Sequence, residues 1–77
     1  MTEGAIPYLP PARVTVLGVC PADPPFRIVE IDGQVASTAR SMTDVVLTAA
    51  AAGITIHDLD DPEEVRWVGG GRFHWTG

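Results

Sequence analysis

The sequence predicts a small α+β fold, in which a mostly antiparallel sheet of three or four strands packs against one helix, with a short second helical turn. Three observations lead to this prediction. Apolar residues alternate with other residues over 12–19, segment 41–52 carries signals for both ends of a helix, and Asp32-Gly33 separates two segments rich in β-forming residues. The predicted strands lie near 12–19, 26–31, 54–58 and 72–75.

The N-terminal residues 1–11 are expected to form an extended arm ahead of a single domain over 12–77. Three prolines hold the arm out of a helix and lack the N–H group that a sheet requires. Tyr8 is expected to attach the arm to the domain. In the first strand of the domain, Val14 and Val16 are expected to face the core, because side chains in a strand alternate between its two faces.

The second predicted strand, 26–31, is followed by a hairpin signal. Asp32-Gly33 is typical of a type I′ turn, whose two central residues both need a positive φ. The chain is expected to run back only briefly over 34–36, since the helix begins by Ser41. The turn predicts a register in which Ile31 pairs with Gln34 and Val29 pairs with Ala36.

The helix over 41–52 has a predicted cap at each end. Ser41 and Asp44 have the spacing of a capping box, with an aspartate where glutamate is more usual. Gly53 stands where a left-handed residue is required after the last turn, and Ile54 follows it as the apolar contact. The face expected to pack on the sheet carries apolar residues at spacings of three and four, namely Met42, Val45, Val46, Ala49 and Ala52.

Two interpretations exist for the segment after the third strand. Asp61 followed by Pro62 is typical of a helix N-terminus and predicts one or two helical turns, reaching about Trp67. Alternatively, 65–68 and 72–75 form the two arms of a hairpin turned by three glycines. The expected core is Val14, Val16, Phe26, Ile28, Val45, Val46, Ala49, Ile54, Ile56 and Trp67.

The composition argues against several classes of function. The net charge is −5, and a general nucleic-acid coat needs clustered cations to neutralise phosphates. No apolar run approaches the length of about 20 residues that spans a bilayer, and no signal peptide is visible, so we expect a cytoplasmic protein that does not act at a membrane. A domain this small often completes its core with another chain, which makes a homo-oligomer or a partner protein an expectation.

The candidate catalytic and metal-binding groups are weak. The acids of 58–64 are better interpreted as a solvated loop and a helix N-terminus than as a cation site, because Pro62 and the lack of a turn glycine do not fit an EF-hand. Cys20 has no local histidine or helix start to activate it. Segment 69–71 lacks the features of a phosphate loop and is interpreted as a flexible turn. We therefore predict no enzyme activity, no cofactor and no metal site.

The C-terminal segment 66–75 is the least ordinary part of the chain, because it holds both tryptophans and two of the five arginines. Trp with Arg is typical of protein-binding hot spots, whereas aromatic residues with arginines also stack single-stranded bases. The ordinary explanation is that the large rings complete a small core. The residues predicted to bind a partner are Trp75, Phe73, Trp67, Arg72, Arg66 and Tyr8.

The resulting hypothesis is a small non-catalytic protein–protein interaction module that acts as a regulatory, adaptor or assembly protein. The alternative is single-stranded nucleic-acid binding through the same aromatic segment, and a small thiol or metal enzyme is a third class. Val35, Leu47 and Trp75 do not fit the expected core and are predicted to lie exposed. On this view Trp75→Ala weakens association by about 2 kcal/mol or more and leaves the monomer folded.

Overall fold

The structure, a computed structural model, describes residues 12–76, and the predicted arm with Tyr8 lies outside the described residues. The described part of the chain contains one helix and one four-stranded sheet, so the α+β prediction is confirmed. The elements are β1 (Val14–Cys20), β2 (Phe26–Ile31), β3 (Gln34–Ala39), α1 (Met42–Ala51) and β4 (Val65–Trp67).

The sheet has the strand order β3-β2-β1-β4. β2 pairs antiparallel with both β1 and β3, whereas β4 pairs parallel with β1, so the sheet is mostly antiparallel as predicted. The prediction of strands at 54–58 and 72–75 is wrong, because the third and fourth strands of the sheet are β3 and β4. One reason is that the His57 N–H donates to the Glu64 carboxylate at 2.7 Å, which commits it to a side chain rather than to a ladder.

The turn between β2 and β3 has the predicted conformation. Asp32 and Gly33 both have positive φ, at 52° and 82°, as a type I′ turn requires. The expected pairing of Ile31 with Gln34 is confirmed, but Val29 lies opposite Ser37 instead of Ala36. A β-bulge at Ala36 causes this shift, and β3 continues beyond it to Ala39.

Both ends of α1 are capped much as predicted. The Asp44 N–H donates to Ser41 Oγ at 3.4 Å, but the Asp44 carboxylate accepts from the Arg40 N–H at 2.9 Å instead of from Ser41. At the other end Gly53 has φ 80°, and the Ile54 N–H donates to the Ala49 carbonyl at 2.9 Å. This bond is typical of a Schellman motif.

The second helical turn is shorter than predicted. The Asp61 carbonyl accepts from the N–H groups of Glu64 and Val65, at 2.9 and 3.0 Å, and closes a single turn. At Val65 the chain becomes β4, so Trp67 belongs to a strand. The alternative hairpin is also wrong, because β4 pairs with β1 rather than with residues 72–75.

The core lies between one face of the sheet and α1, and it is completed by the segment after the helix. Ile54, Ile56 and Trp67 pack against the core as partly buried residues, and Val46 is also partly buried. The expected burial of Phe26 and Ile28 is wrong: both side chains are on the other face, because Val29 pairs with the buried Val16. The buried apolar residues are Val14, Val16, Val29, Ala39, Val45, Ala49 and Val65.

Candidate functional site

The most unusual side chain of the structure is Arg27, which is 0% exposed. It is the second residue of β2, two residues before Val29, and therefore shares the inner face of the sheet with that core residue. A fully buried arginine needs partners for all of its donors, because an unpaired charge in the core is very unfavourable. The question is therefore which groups bind the guanidinium.

Backbone carbonyls bind every N–H group of the Arg27 guanidinium, whose donor capacity is five. The nearest partner in sequence is the Leu17 carbonyl, which accepts from Nε at 2.7 Å and lies beside the irregular step in β1. The other partners all belong to the C-terminal segment. Nη1 donates to the carbonyls of Gly71 at 2.8 Å and His74 at 2.7 Å, and Nη2 donates to those of Val68 at 3.2 Å and Gly70 at 2.8 Å.

Two tryptophan rings cover the guanidinium. Its Cζ atom lies 5.2 Å from the ring centroid of Trp67 and 5.4 Å from that of Trp75, within the range of cation–π contacts. The two indoles meet edge to face, with centroids 6.1 Å apart. Each indole N–H is also used internally, since Trp67 donates to the Leu59 carbonyl and Trp75 donates to the Arg72 carbonyl. Burial lowers the pKa of Arg27, but an arginine remains charged in proteins.

The three glycines, interpreted from the sequence as a flexible turn, form a turn around this cation. Gly69 and Gly70 have φ values of 78° and 136°, a region that favours glycine. A Cβ atom on Gly70 would lie 2.7 Å from Cδ2 of His74. The turn directs carbonyl groups at a cation, whereas a phosphate loop directs N–H groups at an anion.

The same turn carries an exposed aromatic side chain, Phe73, which is 74% exposed. The Arg72 guanidinium carbon lies 4.5 Å from the Phe73 ring centroid, and Arg72 Nε lies 2.8 Å from Oδ1 of Asp60. Together these side chains line a shallow depression. We call it the Phe73 surface, and its residues are Asp60, Gly71, Arg72, Phe73 and His74.

The residues predicted to bind a partner do not form one surface. Trp67 and Trp75 surround Arg27, so the prediction that Trp75 lies outside the core is wrong. Arg66 is exposed on the sheet face opposite Trp67, because neighbours in a strand point to opposite sides. Phe73 and Arg72 remain accessible, and Tyr8 lies outside the described residues.

Sequence reasoning missed Arg27. The available signal was a charged residue at position 27, inside the otherwise apolar run Phe26–Val29 and on the same strand face as Val29. The prediction of exposed apolar side chains outside the core is confirmed for Val35 and Leu47, which are 67% and 61% exposed.

The other candidate groups have local structural roles. Asp58 and Asp61 accept backbone N–H groups two residues further on, each at 2.9 Å, and Glu64 accepts the His57 N–H. Among residues 12–76, no three His, Cys, Asp or Glu side chains are grouped so that they could hold a metal ion. Cys20 is a partly buried free thiol. Within the same range, no helix is long and apolar enough to cross a membrane.

Comparisons of this chain with known protein families, curated proteins and solved structures gave no match.

Proposed function

We propose that this protein is a small non-catalytic protein–protein interaction module, a regulatory, adaptor or assembly protein that contacts its partner through the Phe73 surface. The observation that carries this proposal is the position of Phe73. Its ring is 74% exposed on a turn whose backbone is held by a buried arginine. An exposed aromatic ring on a well-held backbone is the arrangement expected of a contact residue.

The energetics of such a surface favour binding. Burying a phenylalanine side chain in an interface is worth about 1.5–3 kcal/mol. Because the bonds from Arg27 already hold the carbonyls of Gly71 and His74 on either side of Phe73, little backbone freedom is lost when the partner binds. The adjacent Arg72 adds a residue type that is enriched in binding hot spots.

The internal hydrogen bonds also favour contact over catalysis. The carbonyls of Val68, Gly70, Gly71 and His74 point at Arg27 instead of at a substrate. The Asp60 carboxylate pairs with Arg72. These four carbonyls and this carboxylate are therefore already engaged within the chain.

The nucleic-acid alternative has less support. Stacking of bases needs free ring faces, and Trp67 and Trp75 both lie against the Arg27 guanidinium. Arg66 is on the opposite face of the sheet from Trp67. Phe73 and Arg72 remain as a stacking pair, on a chain whose net charge is −5.

The test compares the tagged wild-type protein with Phe73→Ser in quantitative capture from a lysate of the source organism. Val68→Ser is the matched control, because Val68 is 40% exposed and belongs neither to the Phe73 surface nor to β3. We expect the amount of specifically retained protein to fall at least about tenfold with Phe73→Ser, because one buried aromatic contact is lost. The amount should be unchanged with the control. Equal retention by wild type and Phe73→Ser would contradict the proposal.

A fluorescence titration with single-stranded oligonucleotide separates the two functions. The protein-binding proposal predicts no change in tryptophan emission at low or high salt. Binding at low salt that is lost at high salt, and that Phe73→Ser abolishes, would instead support the nucleic-acid alternative. Cytoplasmic location stays a prediction.

A further inference from the structure

The edge strand β3 offers a surface for pairing. It is one of the two edge strands, with β4, of the sheet formed by residues 12–76, and Gln34–Thr38 are all exposed. Its six residues, Gln-Val-Ala-Ser-Thr-Ala, include no charge and no proline. Natural edge strands usually carry a charged residue or a proline, because an unprotected edge pairs readily with another strand.

The backbone groups of β3 that point outward follow from its register. In a two-residue hairpin the closing pair, Ile31 and Gln34, exchanges both of its hydrogen bonds, and such pairs then alternate along the ladder. Val35 and, beyond the bulge, Thr38 belong to the non-hydrogen-bonded pairs with β2. Their N–H and C=O groups therefore point away from β2. The Thr38 carbonyl accepts from the Ser37 hydroxyl at 3.2 Å, in agreement with this direction.

An apolar part of the helix lies next to this edge. Leu47 is 61% exposed, on the side of α1 that faces β3. A groove runs between the strand and the helix, so both can meet the same partner. Its lining residues are Ala36, Ser37, Leu47, Thr48, Ala51 and Ala52.

We infer that a second copy of this chain binds here, by antiparallel pairing of the two β3 strands about a two-fold axis between Ala36 and Ser37. Val35 of one copy then lies opposite Thr38 of the other, and the outward groups of each satisfy those of its partner. The two α1 helices lie on the same face of the joined sheet, and their Leu47 side chains approach the axis.

Charge favours a second copy in this orientation. Asp32 precedes β3 and Arg40 follows it. Antiparallel pairing brings Arg40 of one copy near Asp32 of the other, whose carboxylate also accepts from Arg13 of its own copy, whereas parallel pairing would bring like charges together. The strand itself is uncharged, so two copies with a net charge of −5 each meet without placing acids opposite each other along β3.

This inference does not rest on the proposed function, because it involves none of the residues of the Phe73 surface. A loss of partner capture with Phe73→Ser and a loss of dimer with Leu47→Lys are separate results. Each variant serves as the control for the other.

Sedimentation equilibrium on the full chain tests the dimer. Leu47→Lys is expected to raise the dimer dissociation constant by about tenfold or more, because it replaces an apolar contact with a charge near the axis. Thr55→Lys is the matched control, since Thr55 is also exposed and the charge change is the same. Both variants lower the net negative charge, so general repulsion predicts the opposite effect. A monomer at every accessible concentration, or equal dimerisation of the two variants, would overturn the inference.

Hydrogen exchange followed by NMR tests the register. The amides of Val35 and Thr38 are expected to exchange more slowly as the protein concentration rises, and Leu47→Lys should abolish this change. If residues 1–11 covered the edge instead, protection of these amides would not depend on concentration and would be lost when residues 2–11 are deleted. That result would overturn the inference, as would fast exchange of both amides in the dimer.

Discussion

The two halves of the described chain are held together in different ways. In residues 26–53, neighbours in sequence make the decisive bonds: the Asp32-Gly33 turn, the Ser41 cap and the Gly53 motif each involve a few consecutive residues. In residues 54–76, regular structure is limited to three short turns, at 58–61, 61–65 and 71–74, and the three residues of β4. The last part of the chain is instead held by Arg27, whose partners there are 41–47 positions away in sequence.

This difference shows how a small domain can order a segment that has little secondary structure. The C-terminal carbonyls need donors because a buried carbonyl without one is unfavourable. A guanidinium provides five N–H groups in a rigid planar arrangement. The Arg27 side chain therefore supplies the hydrogen bonds that a neighbouring strand supplies elsewhere in the sheet, and the Phe73 surface depends on these bonds.

The largest expected effect comes from Arg27→Lys. Lysine keeps the charge but has three donors in place of five, so at least two carbonyls lose their partners. We expect the free energy of unfolding to fall by about 3 kcal/mol, at 1–3 kcal/mol for each unpaired buried group. Urea unfolding followed by circular dichroism measures it, with the exposed Arg40→Lys as control. A loss below about 1 kcal/mol would show that the C-terminal segment is held by other contacts.

The second effect separates two adjacent glycines. A Cβ atom at position 70 would lie 2.7 Å from the His74 ring in a backbone with φ 136°, whereas one at position 71 meets no heavy atom within 4 Å. Gly70→Ala is expected to destabilise by about 2 kcal/mol, and Gly71→Ala by less than about 0.5 kcal/mol. Thermal unfolding of both variants checks this contrast. Equal effects would contradict the described conformation of the turn.

Substitutions in residues 26–53, which are held by local bonds, should lower the stability by a smaller amount. Ser41→Ala removes the side chain that accepts the Asp44 N–H, and the expected loss is about 1 kcal/mol. Thr43→Ala at an exposed position of α1 is the control and should be neutral or stabilising, because alanine has the higher helix propensity. Denaturant unfolding of the two variants measures the difference, and a loss of stability with Thr43→Ala alone would contradict the assignment of the cap.

The smallest effect is expected at the hairpin. The Arg13 guanidinium donates to both Asp32 carboxylate oxygens at 2.9 Å, which lowers the pKa of Asp32 and raises the pKa of Arg13. The stabilisation is present above the pKa of Asp32 in the unfolded chain, about 4, and is lost as the pH falls through the lower folded value. Both groups are exposed, so the effect is small.

The variant Asp32→Asn tests this ion pair, since asparagine also tolerates the positive φ of the turn. Wild type should be the more stable protein at neutral pH, and the two should converge in acid. Unfolding measured from neutral to acidic pH follows this convergence. If the difference in stability between the two proteins stayed constant with pH, the ion pair would be excluded as the cause of that difference.

The elements that were predicted correctly are those whose signals are short. The helix bounds and the turn conformation required only the identities of Ser41, Gly53 and Asp32-Gly33. The strands 54–58 and 72–75 were predicted wrongly because apolar alternation records burial and does not show whether a neighbouring strand is available for pairing. Residues 54–58 turn their apolar side chains to the core without joining the sheet.

The candidate site was predictable only in part. The aromatic segment was recognised from its composition, and Phe73 is exposed as a contact residue must be. The division of that segment into Trp67 and Trp75 around Arg27 and Phe73 toward solvent depends on where Arg27 lies, and position 27 is far from the segment in sequence. No local pattern connects the two.

The sequence by itself determined the α+β class, the helix with its two caps and the hairpin turn, because each is encoded by hydrogen bonds and φ preferences within a few residues. Only the tertiary structure decided which face of β2 is buried, that β4 joins the sheet in parallel, and that an arginine organises residues 68–75. The physical reason is that these features depend on the pairing of groups brought together from distant positions. Such pairing is set by the register of β1 and β2, and one residue of slip would have placed Arg27 on the opposite face of the sheet.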